Sequence, residues 1–155
     1  MMKVKQSVVI NLPPEEIFAY LTDLDNLVDW SSPVVAVRKI SPGVMCVGGI
    51  LRTTMRFLGR WLDITFEVVE FELGHCLTIK SISGAAPCLF SYQFEPVEDN
   101  GTNVCLETVI HFTGIAGLAE PVVTRVIHRQ LEHDLLTLKD MLEADSLGTH
   151  HDHLD

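Results

Sequence analysis

Long hydrophobic runs are missing from this chain. No stretch reaches the roughly 18 apolar residues that a membrane-spanning helix needs, although apolar residues make up 47% of its 155 positions. Basic residues are scarce. Eleven Lys and Arg stand against 21 Asp and Glu, a formal net charge of −10. An acidic surface repels phosphate backbones and anionic lipid, so neither a nucleic-acid partner nor membrane insertion is expected. The opening MMKVKQSVVI has no long apolar core and no small-residue cleavage site. It reads as no signal peptide, and a cytoplasmic location is expected. Cys46, Cys76, Cys88 and Cys105 include no CxxC pair, which leaves out a zinc ribbon or a thioredoxin-type motif. Each sits among strand-like apolar residues, so four buried free thiols are expected. The sequence has no metal-ligand spacing, no phosphate-binding glycine loop and no nucleophile elbow, so no metal and no cofactor are expected. Gly48-Gly49 is too short for a nucleotide loop and fits close backbone packing instead. The histidines of Thr149–His153 lie in a polar tail without the fixed geometry of a metal site.

What is present is periodicity. Residues 3–11 are rich in Val and Ile and predict a strand. Leu12-Pro13-Pro14-Glu15-Glu16 is a helix start, with proline and early carboxylates in the first turn. Ile17, Phe18 and Leu21 give that helix one apolar face, and a second short helix runs through Leu27 and Trp30. Residues 34–41 predict a strand. Over 47–58, Leu51, Thr53, Met55 and Phe57 alternate with Arg52, Thr54 and Arg56, the mark of a half-buried strand. Residues 61–72 alternate with Leu62, Ile64 and Phe66 inward, then slip phase. A β-bulge near Glu67-Val68 accounts for the slip and curls the sheet. Residues 76–83, 88–96 and 103–113 predict three more strands, with Asp99-Asn100-Gly101 as a tight turn. From about Ile115 the period becomes 3.6. Leu118, Val122, Val126, Leu131, Leu135, Leu138 and Leu142 form a stripe that Val123 and Ile127 widen, and the helix is expected to start near Gly117 because Pro121 is tolerated only in a first turn.

The expectation is one α+β domain over residues 1–145, with a disordered tail at 146–155. A curved antiparallel sheet of about seven strands wraps a long C-terminal helix, and two short helices follow the first strand. A straight helix does not fill a curved sheet, so an apolar cavity is expected between them.

The segments Leu12–Asp23, Leu27-Val28-Asp29-Trp30 with Val34–Val37, Val47-Gly48-Gly49, and Gly114–Pro121 with Leu131–Lys139 resemble the START-like, helix-grip (Bet v 1-like) superfamily. The similarity is to its SRPBCC branch of polyketide cyclase/dehydrase type and covers about residues 3–143. It implies the helix-grip fold and an internal pocket for a hydrophobic or amphipathic small molecule. It carries no catalytic motif onto numbered positions, and fold alone does not assign an activity.

Alternation and helical period place Leu51, Thr53, Met55, Phe57, Ile64, Phe66, Ile79, Phe90, Tyr92, Phe94, Ile110, Val122 and Val126 around the expected cavity. Trp30 is a candidate gate or stacking residue near its opening, and Arg125 could reach an acidic ligand group or lay its stem on the core. His111, His128 and Tyr92 are the candidate acid–base groups. The first reading is a binding or carrier protein for a small hydrophobic molecule. The alternative is an enzyme of the cyclase or dehydratase kind working in the same cavity. A third is an interaction module with a filled interior. Monomer and homodimer remain open.

Overall fold

A computed structural model describes residues 2–84, 86–111 and 119–154, the stretch 145–154 by backbone alone. The chain runs β1 (Met2–Ile10), α1 (Pro14–Thr22), α2 (Leu24–Trp30), β2 (Val34–Lys39), β3 (Ile50–Phe57), β4 (Arg60–Glu72), β5 (Cys76–Ser83), β6 (Cys88–Val97), β7 (Gly101–Ile110) and α3 (Glu120–Leu154). The strands form one antiparallel sheet in the order β1-β7-β6-β5-β4-β3-β2. This is the expected α+β helix-grip architecture, with the two short helices after the first strand. The expected helix start near Gly117 and the stripe position Leu118 lie outside the described residues. So do the side chains of the expected tail, 146–155.

Pro14 opens α1, where a missing N–H costs nothing, and Glu15 and Glu16 sit at its positive end. Asp23 caps α2 by accepting the Asp25 backbone N–H at 3.1 Å. The hairpin from β3 to β4 turns at Leu58 and Gly59, both at positive φ, which suits the twist of adjacent strands. β4 carries the expected irregularity. Its register to β5 shifts between Val68 and Glu70, so Val69 is the extra residue that moves Phe71 into the phase of Val68. A second shift, between Thr65 and Phe66, adds to the curl.

The concave face of the sheet and the inner face of α3 share one core. Ile10, Ile17, Phe18, Val68, Val104, Val123 and Leu138 are fully buried in it. α3 docks alongside β1. The Lys139 ammonium donates to the Val9 carbonyl at 2.7 Å and meets the Glu143 carboxylate at 2.8 Å, and that carboxylate accepts the Asn11 backbone N–H. The buried positions of α3 are Val123, Ile127, Leu131, Asp134, Leu135, Leu138 and Leu142, an unbroken run of short helical steps. This corrects the expected stripe at its N-terminal end. Val122 is exposed and Val126 only half-buried. The expected step from Val126 to Leu131 spans five residues, about 500° at 100° per residue, and so cannot stay on one face.

The cysteine expectation is corrected in part. All four thiols are free, but only Cys88 is buried. Cys46 is exposed, and Cys76 and Cys105 are half-buried. Burial pushes the Cys88 thiol up to about 11. Gly49 fits the close-packing reading, because a Cβ there would stand 3.0 Å from the Cys46 carbonyl oxygen.

Candidate functional site

The curvature set by the bulges leaves a cavity of about 140 Å³ between the sheet and the first half of α3. Alternation along β3, β4, β5, β6 and β7 aims its walls inward. Thr53, Met55 and Phe57 come from β3, Leu62, Ile64 and Phe66 from β4, and Ile79 from β5. Cys88, Phe90 and Tyr92 come from β6, Leu106 and Ile110 from β7. α2 and the turn after it add Leu27, Trp30, Ser31 and Pro33, β2 adds Val34, and α3 adds Ile127, Gln130, Leu131 and Asp134. Two edge-to-face pairs stand in this wall: Trp30 with Tyr92 at 6.4 Å and Phe66 with Phe90 at 5.8 Å between centroids.

Of the residues expected around the cavity, Trp30, Thr53, Met55, Phe57, Ile64, Phe66, Ile79, Phe90, Tyr92 and Ile110 line it. Leu51 and Phe94 are buried in solid core instead. Phe94 packs edge-on against Phe18 at 5.5 Å. Val122 and Arg125 are exposed, and neither they nor Val126 line the cavity. The histidine candidates are also displaced. His111 lies just past the end of β7 and is exposed, and His128 is exposed on α3, where its ring meets the Gln6 amide at 2.9 Å. Neither histidine lines the cavity. The Thr53 hydroxyl is spent within the sheet, donating to the Ile64 carbonyl at 2.9 Å.

Asp134 is the site residue that sequence reasoning misses. It follows Glu132 and His133 between Leu131 and Leu135, where a carboxylate looks like part of the solvent-facing side. A signal for it exists, since Asp134 lies seven residues from Ile127 and so shares its face. Asp134 is 3% exposed. Its Oδ1 accepts the Ser32 backbone N–H at 3.1 Å, and no ion pair reaches it among the described residues. Burial holds its carboxyl above the usual carboxylate range, with the Ser32 hydrogen bond and nearby His133 pulling the other way. Burial also pushes the Tyr92 hydroxyl up, and the Asp134 charge adds to it. The titratable groups lining the cavity are thus Cys88, Tyr92 and Asp134. No group of three or more metal-ligating side chains occurs among the described residues, and no described helix is long and apolar enough to cross a membrane.

The family model for polyketide cyclase / dehydrase and lipid transport proteins matches residues 1–143, nearly the whole chain. The chain belongs to that family. No curated protein sequence matches it. Its fold recurs in solved structures. A protein of Thermus thermophilus is 21% identical with a TM-score of 0.80, over 93% of this chain and 99% of that one. A START superfamily protein from Mycobacterium smegmatis is 14% identical with a TM-score of 0.79, again over 93% and 99%. The Zhui aromatase/cyclase from Streptomyces sp. R1128 is 16% identical with a TM-score of 0.72, over 91% and 93%. At these identities the likeness is one of fold, and members of one fold differ widely in chemistry.

Proposed function

We propose that this family member binds and carries a small hydrophobic molecule in the cavity between the sheet and α3. The observation that carries the reading is a 140 Å³ space walled by aliphatic and aromatic side chains. An apolar cavity of about 150 Å³ in another protein stays dry and takes up benzene. A space of this size therefore suits one six-membered ring with short substituents, and a larger guest requires α2 or the 31–33 turn to shift. The displaced histidines support a carrier over an enzyme, because the usual neutral-pH acid–base residue is absent from the lining among the described residues.

The test is calorimetric titration with toluene, alongside a variant in which Ile110→Phe fills the space. The expected result is saturable uptake by the parent and none by the variant, with stability changed by less than about 1 kcal/mol. No uptake by the parent, together with destabilisation of about 1–3 kcal/mol in the variant, means the space is not available to a ligand.

The cyclase or dehydratase reading keeps one specific support. Asp134 is a desolvated carboxyl beside Tyr92 in a cleft, and perturbed carboxyls gather at catalytic sites. That reading requires the purified protein to release water from a small β-hydroxyketone ring precursor, and Asp134→Asn to abolish the turnover.

A further inference from the structure

Two polar groups at one end of the cavity are under-used. Asp134 carries two carboxylate oxygens in an apolar setting, and among the described residues its donors come from Ser32 alone, the backbone N–H at 3.1 Å and the hydroxyl, which leaves room on a carboxylate for a further donor. The Trp30 indole Nε1 is buried and has no acceptor among the described residues. Both residues line the cavity. They belong to the same corner: Ser32, which holds Asp134, follows Trp30 by two residues, and Tyr92 touches the Trp30 ring edge-on and lies within the field of Asp134. Thr108 Oγ1 is the other buried polar atom without a partner among the described residues, but Thr108 does not line the cavity.

Buried donors and acceptors are rarely left unmade, because each costs its full desolvation when unpaired. Here the deficits are complementary. One group needs an acceptor and the other can take a further donor. A hydroxyl does both at once: its oxygen accepts from Trp30 Nε1 and its hydrogen goes to Asp134. An ammonium group would serve Asp134 and leave Trp30 unmet. A ketone or ether would do the reverse.

We propose that the corner formed by Trp30 and Asp134 is a headgroup site that selects a ring bearing a hydroxyl, a phenol or an alicyclic alcohol, over an unsubstituted ring of the same size. The proposal rests on the cavity binding described above and adds the polar chemistry of its ligand. The walls of Phe66, Ile79, Phe90 and Ile110 take the ring body, and Gln130, one turn before Asp134, borders the same corner.

The probes are p-cresol, toluene and benzylamine, titrated into the full-length protein and two variants. A purely apolar cavity prefers toluene, because moving a hydroxyl out of water without a partner is unfavourable. The headgroup site inverts that order, and p-cresol is expected to bind at least about tenfold more tightly than toluene, the scale of one good hydrogen bond to a charged group. Trp30→Phe keeps the ring and its contact with Tyr92 while deleting the N–H. Asp134→Leu removes the acceptor and suits the apolar surroundings. Each is expected to cut the ratio of p-cresol to toluene affinity toward unity. Toluene binding as tightly as p-cresol in the parent overturns the headgroup site and leaves the cavity reading standing. A p-cresol preference that survives both substitutions also overturns it. Benzylamine binding more tightly than p-cresol overturns the hydroxyl assignment in favour of a cation. Uptake of none of the three sinks the cavity reading and this one together.

Discussion

At one end of the interface between sheet and α3, Phe18 wedges between Phe71 and Phe94, with ring centroids 5.2 and 5.5 Å away. At the other end, Trp30–Tyr92 and Phe66–Phe90 stand at 6.4 and 5.8 Å around open space. Both ends draw on the same residue types and the same strands. They differ in which short helix covers them. α1 lays Ile17, Phe18 and Leu21 into the sheet at zero to 5% exposure. α2 is seven residues long and inserts Trp30, with Leu27 only partly buried. It roofs its end without filling it. Stability is thus concentrated where α1 docks, and room for a guest is left where α2 does.

This contrast can be broken most directly by truncation. Phe18→Ala is expected to cost about 3–5 kcal/mol in chemical denaturation. Phe90→Ala, at the hollow end, is expected to cost at least about 1 kcal/mol less, since a ring that already faces a void has fewer contacts to lose. Equal losses would mean that the two ends are packed alike.

The phase of α3 sharpens the same comparison. Val123 is fully buried and Val122 is 46% exposed. Val123→Trp should destabilise by about 1–3 kcal/mol or more through overpacking. Val122→Trp should stay within about 0.5 kcal/mol, as surface changes do. A reversal of that order in thermal melts would restore the stripe expected from the sequence.

Asp134 gives the smallest effect and a signed one. Its folded carboxyl titrates above its unfolded value, so the folded state holds the proton more tightly. Stability therefore falls as pH rises from about 4 through the folded pKa. Of the groups facing it, Ser32 does not ionise and the Tyr92 hydroxyl is itself pushed up, so neither changes charge in that window, and the His133 charge acts against the shift. Asp134→Asn should remove this downward slope between pH 4 and neutrality. An unchanged slope would assign the pH dependence to other carboxylates.

Much of this is legible in the sequence because strands report their inward face every second residue. The β3 series Thr53, Met55 and Phe57 and the β6 pair Phe90 and Tyr92 need nothing else. The helix is harder. Its N-terminal turns hold apolar residues at 122, 123, 126 and 127, so either of two neighbouring faces reads as apolar, and only docking against β1 selects Val123 and Ile127. Leu51 and Phe94 share the inward face with the cavity walls. Whether an inward residue meets a void or a neighbour depends on where α1 ends, which no single strand encodes. Asp134 escapes a reading in which charge signals solvent, because its backbone partner at Ser32 lies in a turn a hundred residues away.

The outermost strands carry a consequence for the order of assembly. β1 is the first strand made, and its one strand neighbour among the described residues is β7, with Met2 opposite Ile110 and Ile10 opposite Thr102. Its partners thus lie roughly a hundred residues downstream, a separation that raises contact order and slows the search for the native pairing to roughly milliseconds or longer. On the ribosome, at about 5–20 residues per second, β1 waits several seconds before β7 emerges. α3, which packs along β1, comes later still. From β2 to β7 each strand pairs with the next in sequence, so that meander can assemble while the first strand still lacks both its ladder and its helix.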